Sequence, residues 1–111
     1  KIETDLEDIF GYGDLNNDGK EDTALILVQS GGGSGTFFNL AAYVSGPISY
    51  KGTNAVFIGD RVQIESIAIK GKRITLTYLD RKDNEPFAAD PTVETTKTYL
   101  YSSLDNSIEE Q

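Results

Sequence analysis

Apolar residues along the chain fall in short runs separated by glycine, proline and polar turns, and no segment sustains a 3.6-residue period. Residues 23–29 (TALILVQ) are apolar at odd and even positions alike, which predicts a central strand covered on both faces. Residues 36–44 (TFFNLAAYV) read the same way after Gly31-Gly32-Gly33-Ser34-Gly35, and Gly46-Pro47 ends them. Residues 53–58 form a shorter strand closed by Gly59-Asp60. Residues 61–69 and 73–79 flank Gly71-Lys72, and a glycine at the first of two loop positions predicts a type II′ hairpin. That register sets Ile69 opposite Ile74 and Ile67 opposite Leu76. Farther back the apolar phase shifts, from odd positions (Ile67, Ile69) to even ones (Val62, Ile64). One extra residue at Glu65-Ser66, a β-bulge, restores a common face and brings Ile64 opposite Tyr78. Residues 92–101, rich in Thr and Tyr, supply a last strand. Thr4-Asp5-Leu6-Glu7 matches a capping box, but an extended course over residues 7–13 is preferred. The predicted fold is all-β: an antiparallel meander of five to seven strands forming a small barrel or half-sandwich. It makes one domain over residues 1–104, followed by a polar, frayed tail at 105–111.

Composition narrows the chemistry. A chain of 111 residues holds one compact core. It has no Cys, His, Met or Trp, which excludes disulfides, zinc-thiolate sites, iron–sulfur clusters and a Ser-His-Asp triad from its own residues. Its net charge of -8 argues against a nucleic-acid partner, because phosphate binding needs a Lys/Arg surface. The longest apolar run, residues 24–28, is far too short to span a membrane as a transmembrane segment. The chain opens on Lys1 with no initiator methionine and no apolar leader pattern, as expected of a trimmed or processed fragment.

The negative charge is concentrated. Residues 1–22 hold eight acids against Lys1 and Lys20, whereas residues 23–111 hold ten acids and eight bases. Within that acidic stretch, residues 14–22 read D-x-N-x-D-G-x-x-D. Calcium takes six to eight hard oxygen ligands at about 2.3–2.6 Å, and alternate residues of a tight loop supply them. Asp14, Asn16 and Asp18 are the candidate ligands at loop positions 1, 3 and 5. The Lys20 backbone carbonyl serves at position 7, and Asp22 closes the site at position 9, directly or through a water. Gly19 provides the positive φ that wraps the chain. Position 12 is Leu25 rather than a bidentate Glu, and the flanks read as strands, so the motif is not an EF-hand. The competing reading is an Asp/Asn/Gly-rich hairpin turn without metal. Lacking the position-12 Glu, the site is expected to be weak, in the ~10⁻⁴–10⁻³ M class of extracellular modules, empty in cytosol and filled outside the cell.

The loop resembles the calcium loop of integrin-type FG-GAP repeats, in which the same spacing joins two antiparallel strands. Read together with Gly32–Ala41 (GGSGTFFNLA), Ile58–Ile69 (IGDRVQIESIAI) and Gly71–Thr75 (GKRIT), the chain is similar to an uncharacterised β-domain of bacterial secreted proteins and lipoproteins, whose pattern runs GDLDGDGxxD…GGSGTF…GDRV. The likeness covers about residues 11–80 and, more weakly, 91–99. It implies an exported, mostly β module, and so an extracytoplasmic location (periplasmic, cell-surface or secreted), with no catalytic residue to carry over. The chain departs from that pattern in having Asn where the family often has Asp in the loop, and in lacking a cysteine pair that some relatives place near Ala89-Asp90.

Other features read more plainly. No Gly-Lys-Ser/Thr follows the glycine run, so a phosphate cradle is not indicated. Gly59-Asp60-Arg61 reads as a turn with a strand-start ion pair, and Lys70, Lys72 and Arg73 as a solvated hairpin tip. Tyr99 and Tyr101 share one face of the last strand, either in the core or as an exposed aromatic strip. Asp80, Asp83, Glu85 and Asp90 share a loop without a spacing that selects an acid/base pair. The expectation is therefore a noncatalytic exported β-module with a weak structural calcium loop and an interaction role toward an unknown protein or glycan. The alternative is a metal-free small-barrel binding or inhibitor-like module that uses exposed aromatics.

Overall fold

The computed structural model of the chain describes residues 3–30, 35–81 and 90–111, and among these it holds ten strands and no helix. The strands are β1 (Glu3–Leu6), β2 (Gly11–Gly13), β3 (Asp22–Ser30), β4 (Thr36–Ser45), β5 (Tyr50–Gly52), β6 (Val56–Asp60), β7 (Gln63–Lys70), β8 (Arg73–Asp80), β9 (Val93–Ser102) and β10 (Ser107–Glu110). All pairings are antiparallel. β3 and β4 form the centre of a six-stranded sheet; β1 and β2 pair successively along the free side of β3, and β5 and β6 along that of β4. The second sheet has the order β10-β9-β8-β7. The arrangement is two open sheets rather than a closed barrel. The count exceeds five to seven because β1, β2, β5 and β10 have only three or four residues each, too few to show a hydrophobic period.

The two inner faces share one core. Ala24, Ile26, Phe38, Leu40, Ala42 and Val44 come from β3 and β4; Ile64, Ile67, Ile74, Leu76, Tyr78, Tyr99 and Ile108 come from the four-stranded sheet. The β7–β8 hairpin has the register that the hydrophobic phase requires. Ile69 pairs with Ile74, Ile67 with Leu76 and Ile64 with Tyr78, with a register shift between Ile64 and Ser66. Lys70 pairs with Arg73 across two loop residues. Of those two only Gly71 has positive φ (61°), the type II′ pattern.

Residues 105–111 are not a frayed tail. Ser107–Glu110 pair with β9, and Ile108 is fully enclosed in the core. Asn54, in the β5–β6 connection, acts as a surrogate strand residue: its Oδ1 accepts the Ile108 N–H at 2.8 Å and its Nδ2 donates to the Ile108 carbonyl at 3.0 Å. Tyr101 Oη donates to Asn106 Oδ1 at 2.7 Å, and Asn106 Nδ2 donates to the Gly52 carbonyl at 3.2 Å. A lone isoleucine among polar residues gives no periodicity, so its burial is decided by these distant partners.

At the other end of the core, β2 lies against β7. A Cβ added to Gly11 would stand 2.7 Å from Ile67 Cγ2 and 3.0 Å from the Ile67 carbonyl oxygen. One added to Gly13 would stand 2.6 Å from Ile69 Cγ2. The glycines are what let the two sheets meet here. Because the Ile67 backbone cannot turn away as a side chain can, Gly11→Ala is expected to cost about 1–3 kcal/mol, read as a lowered urea midpoint at unchanged m-value.

Candidate metal centre

Residues 14–21 connect β2 to β3, whose ends meet at the Gly13–Asp22 pair. The loop is anchored from within: Leu15 at its second position is fully buried in the core. Asn17 (φ 58°) and Gly19 (φ 84°) supply the left-handed turns that wrap it. The two Asp14 carboxylate oxygens accept the N–H groups of Asp18 at 3.1 Å and Gly19 at 2.8 Å.

The other candidate ligands converge on Ser45, at the end of β4. Ser45 Oγ lies 2.6 Å from Asp18 Oδ2 and 2.9 Å from Asp22 Oδ1, and the Ser45 N–H donates to Asp22 Oδ1 at 2.8 Å. Asn16 Nδ2 donates to the Ser45 carbonyl at 2.7 Å and, more weakly, to Asp18 Oδ2 at 3.3 Å. Asp18 also accepts the Lys20 N–H at 2.9 Å. The Ser45 hydroxyl and then the Lys20 N–H hold the Asp18 carboxyl below its ordinary value, with smaller help from Asn16 and the Lys20 charge against the opposing effect of desolvation. Asp22 is fully buried, and its Oδ2 accepts the Leu15 N–H at 2.7 Å. The Lys20 side chain is exposed, beside an open cleft of about 320 Å³ lined by Asn16, Asp18, Ser45, Gly46 and Pro47.

The structure therefore joins Asn16, Asp18 and Asp22 through Ser45, while Asp14 turns to the loop backbone. No three acidic side chains form a ready cage among the described residues. Several oxygen atoms of the loop nevertheless keep unused acceptor sites. Each carboxylate oxygen has about two acceptor sites. Asp14 retains one on each oxygen, Asp18 one on Oδ1 and Asp22 one on Oδ2. Asn16 Oδ1 is buried with no hydrogen-bond donor, a position that costs free energy until something satisfies it.

Ser45 escapes a reading of the motif because it lies 23 residues beyond Asp22. The signal is the β3–β4 register, in which Thr23 pairs with Tyr43 and the next positions carry Asp22 and Ser45 to the same sheet end. Tyr99 and Tyr101 are core residues and not an exposed strip. Asp60 makes the expected contact with Arg61 (3.7 Å) and also accepts the Thr36 N–H at 2.8 Å. Asp80 Oδ1 accepts the Arg81 N–H at 2.8 Å. The glycine run at 31–34 and the loop acids Asp83 and Glu85 lie outside the described residues. The chain matches no family model, no curated protein and no solved structure.

Proposed function

We propose that the chain is a noncatalytic, exported β-module whose 14–22 loop binds calcium weakly and structurally, in support of an interaction role. The observation that carries this reading is the buried, donorless Asn16 Oδ1 in the middle of a D-x-N-x-D-G-x-x-D loop. Asp14, Asn16, Asp18, the Lys20 carbonyl and Asp22 would hold the ion. The ion would offset the repulsion of the loop carboxylates and tie the β2–β3 hairpin more firmly to β4. Because two of three carboxylates already spend acceptor sites on Ser45, affinity of about 10⁻⁴–10⁻³ M fits the donor set, and that class of site fills outside the cell.

Thermal unfolding in EDTA and then in rising calcium chloride, with magnesium chloride as control, tests the reading. At 100 times its dissociation constant calcium adds about 2.7 kcal/mol, on the order of 10 °C for a domain of this size. Above the dissociation constant the shift should grow with the logarithm of the calcium concentration, be absent with magnesium, and vanish in Asp18→Ala. A melting temperature indifferent to 10 mM calcium would leave the loop a metal-free turn and favour the aromatic-binding reading, for which the half-exposed Tyr12, Phe37, Tyr43 and Phe57 speak.

A further inference from the structure

The two sheets treat their outer faces differently. On the four-stranded sheet, Thr75 pairs with Thr98 and Thr77 with Thr96, an outward face of hydroxyls of the kind a solvated sheet presents. On the six-stranded sheet the outward rows are rich in large apolar and aromatic side chains and poor in charge. Inside a marginal row Gln29–Phe37–Asp60, one row runs Leu6–Leu27–Asn39–Phe57 and another Tyr12–Thr23–Tyr43, since directly paired residues share a face. Between them Leu25 pairs with Ala41, and both are buried although they point away from the core. Leu6, Tyr12, Phe37, Tyr43 and Phe57 are 44–59% exposed. Phe37 and Phe57 lie with ring centroids 6.2 Å apart. In a chain that is 25% charged, Asp60, opposite Phe37 at the margin, is the only charged residue in these rows among the side chains described.

We propose that this face is the contact between two copies of the chain, packed sheet on sheet about a twofold axis. Two properties select a second copy. The first is area. Five large side chains of about 200 Å² each, roughly half exposed, contribute about 500 Å². With Thr23, Leu27, Gln29 and Asn39 the face offers roughly 700 Å², close to the ~800 Å² per partner of a standard interface. The second is charge. An isologous contact sets a patch against itself, so a charged patch would repel its own image, and a nearly charge-free one on a chain of net charge -8 does not. Aligned sheets about 10 Å apart would interdigitate these side chains as in a sandwich core. The proposal is independent of the calcium loop.

Sedimentation velocity from 5 to 500 μM, in EDTA and again in 10 mM calcium, tests it. The expected result is a mass that doubles from 12.1 kDa with concentration in both buffers, with a dissociation constant below about 100 μM. Phe57→Asp should weaken dimerisation at least tenfold, and Tyr43→Asp is the second variant should the first not fold. Thr96→Asp, on the outer face of the other sheet, should leave it unchanged. Amide NMR shifts on dilution should map to β3, β4 and β6. A monomer throughout the range, or a dimer indifferent to both aspartate variants, would overturn the proposal; a monomer that binds a neutral polysaccharide through Tyr43 would overturn it in favour of a glycan.

Discussion

Asp22→Ala is expected to lower the unfolding free energy by about 3–5 kcal/mol in EDTA, and by more in calcium, where the lost ligand adds to the lost hydrogen bonds. The buried Asp22 carboxylate accepts two backbone bonds, from the Leu15 N–H and the Ser45 N–H, and shares the single Ser45 hydroxyl proton with Asp18. An alanine strands two backbone donors in the interior, each worth about 1–3 kcal/mol unpaired. Asn is not a faithful replacement, because its amide nitrogen must face a donor on one side or the other; a loss of about 2 kcal/mol is expected. Urea unfolding of both variants with and without metal provides the check. If the Asp22→Ala loss disappeared in EDTA, the residue would act only as a ligand, and the hydrogen-bond account of it would be wrong.

Deleting residues 105–111 should leave the remaining chain without a cooperative melting transition. Removal of Ile108 opens the core at a cost of about 2–5 kcal/mol, and removal of its backbone leaves the Asn54 side chain without two partners. Together these approach the whole stability of an ordinary domain, about 5–15 kcal/mol. Ile108→Val, which keeps the backbone pairing and most of the volume, should cost only about 0.5–1.5 kcal/mol. Calorimetry on the three proteins separates the outcomes. A truncated chain that melts as sharply as the full one would return the tail to the frayed state its polarity predicts.

The contrast between these regions shows what the sequence carries by itself. The bulge at Glu65-Ser66 was legible because two apolar pairs of opposite parity must reach one core, and only an added residue reconciles them. The motif spacing likewise located the loop between β2 and β3. What stayed hidden depends on partners far along the chain. Leu15 looks like loop filler, yet it is a core residue; Ser45 looks like a strand end, yet it binds two of the loop carboxylates. The apolar-on-both-faces pattern of β3 and β4 was equally plain, and it predicted cover on both sides. Within the described chain the core covers one face, and the other keeps its aromatic side chains in solvent.

Every backbone pairing of the six-stranded sheet lies within residues 3–60, and every one of the four-stranded sheet within residues 63–110. Chain closure during folding thus proceeds mostly in short increments, each hairpin extending its neighbour at little entropic cost. The long excursions are left to the joints between the sheets, above all the Asn54–Ile108 pair, which spans 54 residues. Such contacts are slow to find and are rewarded late. The amide of one asparagine therefore ties the last strand, itself paired locally with β9, to the half of the chain that builds the other sheet.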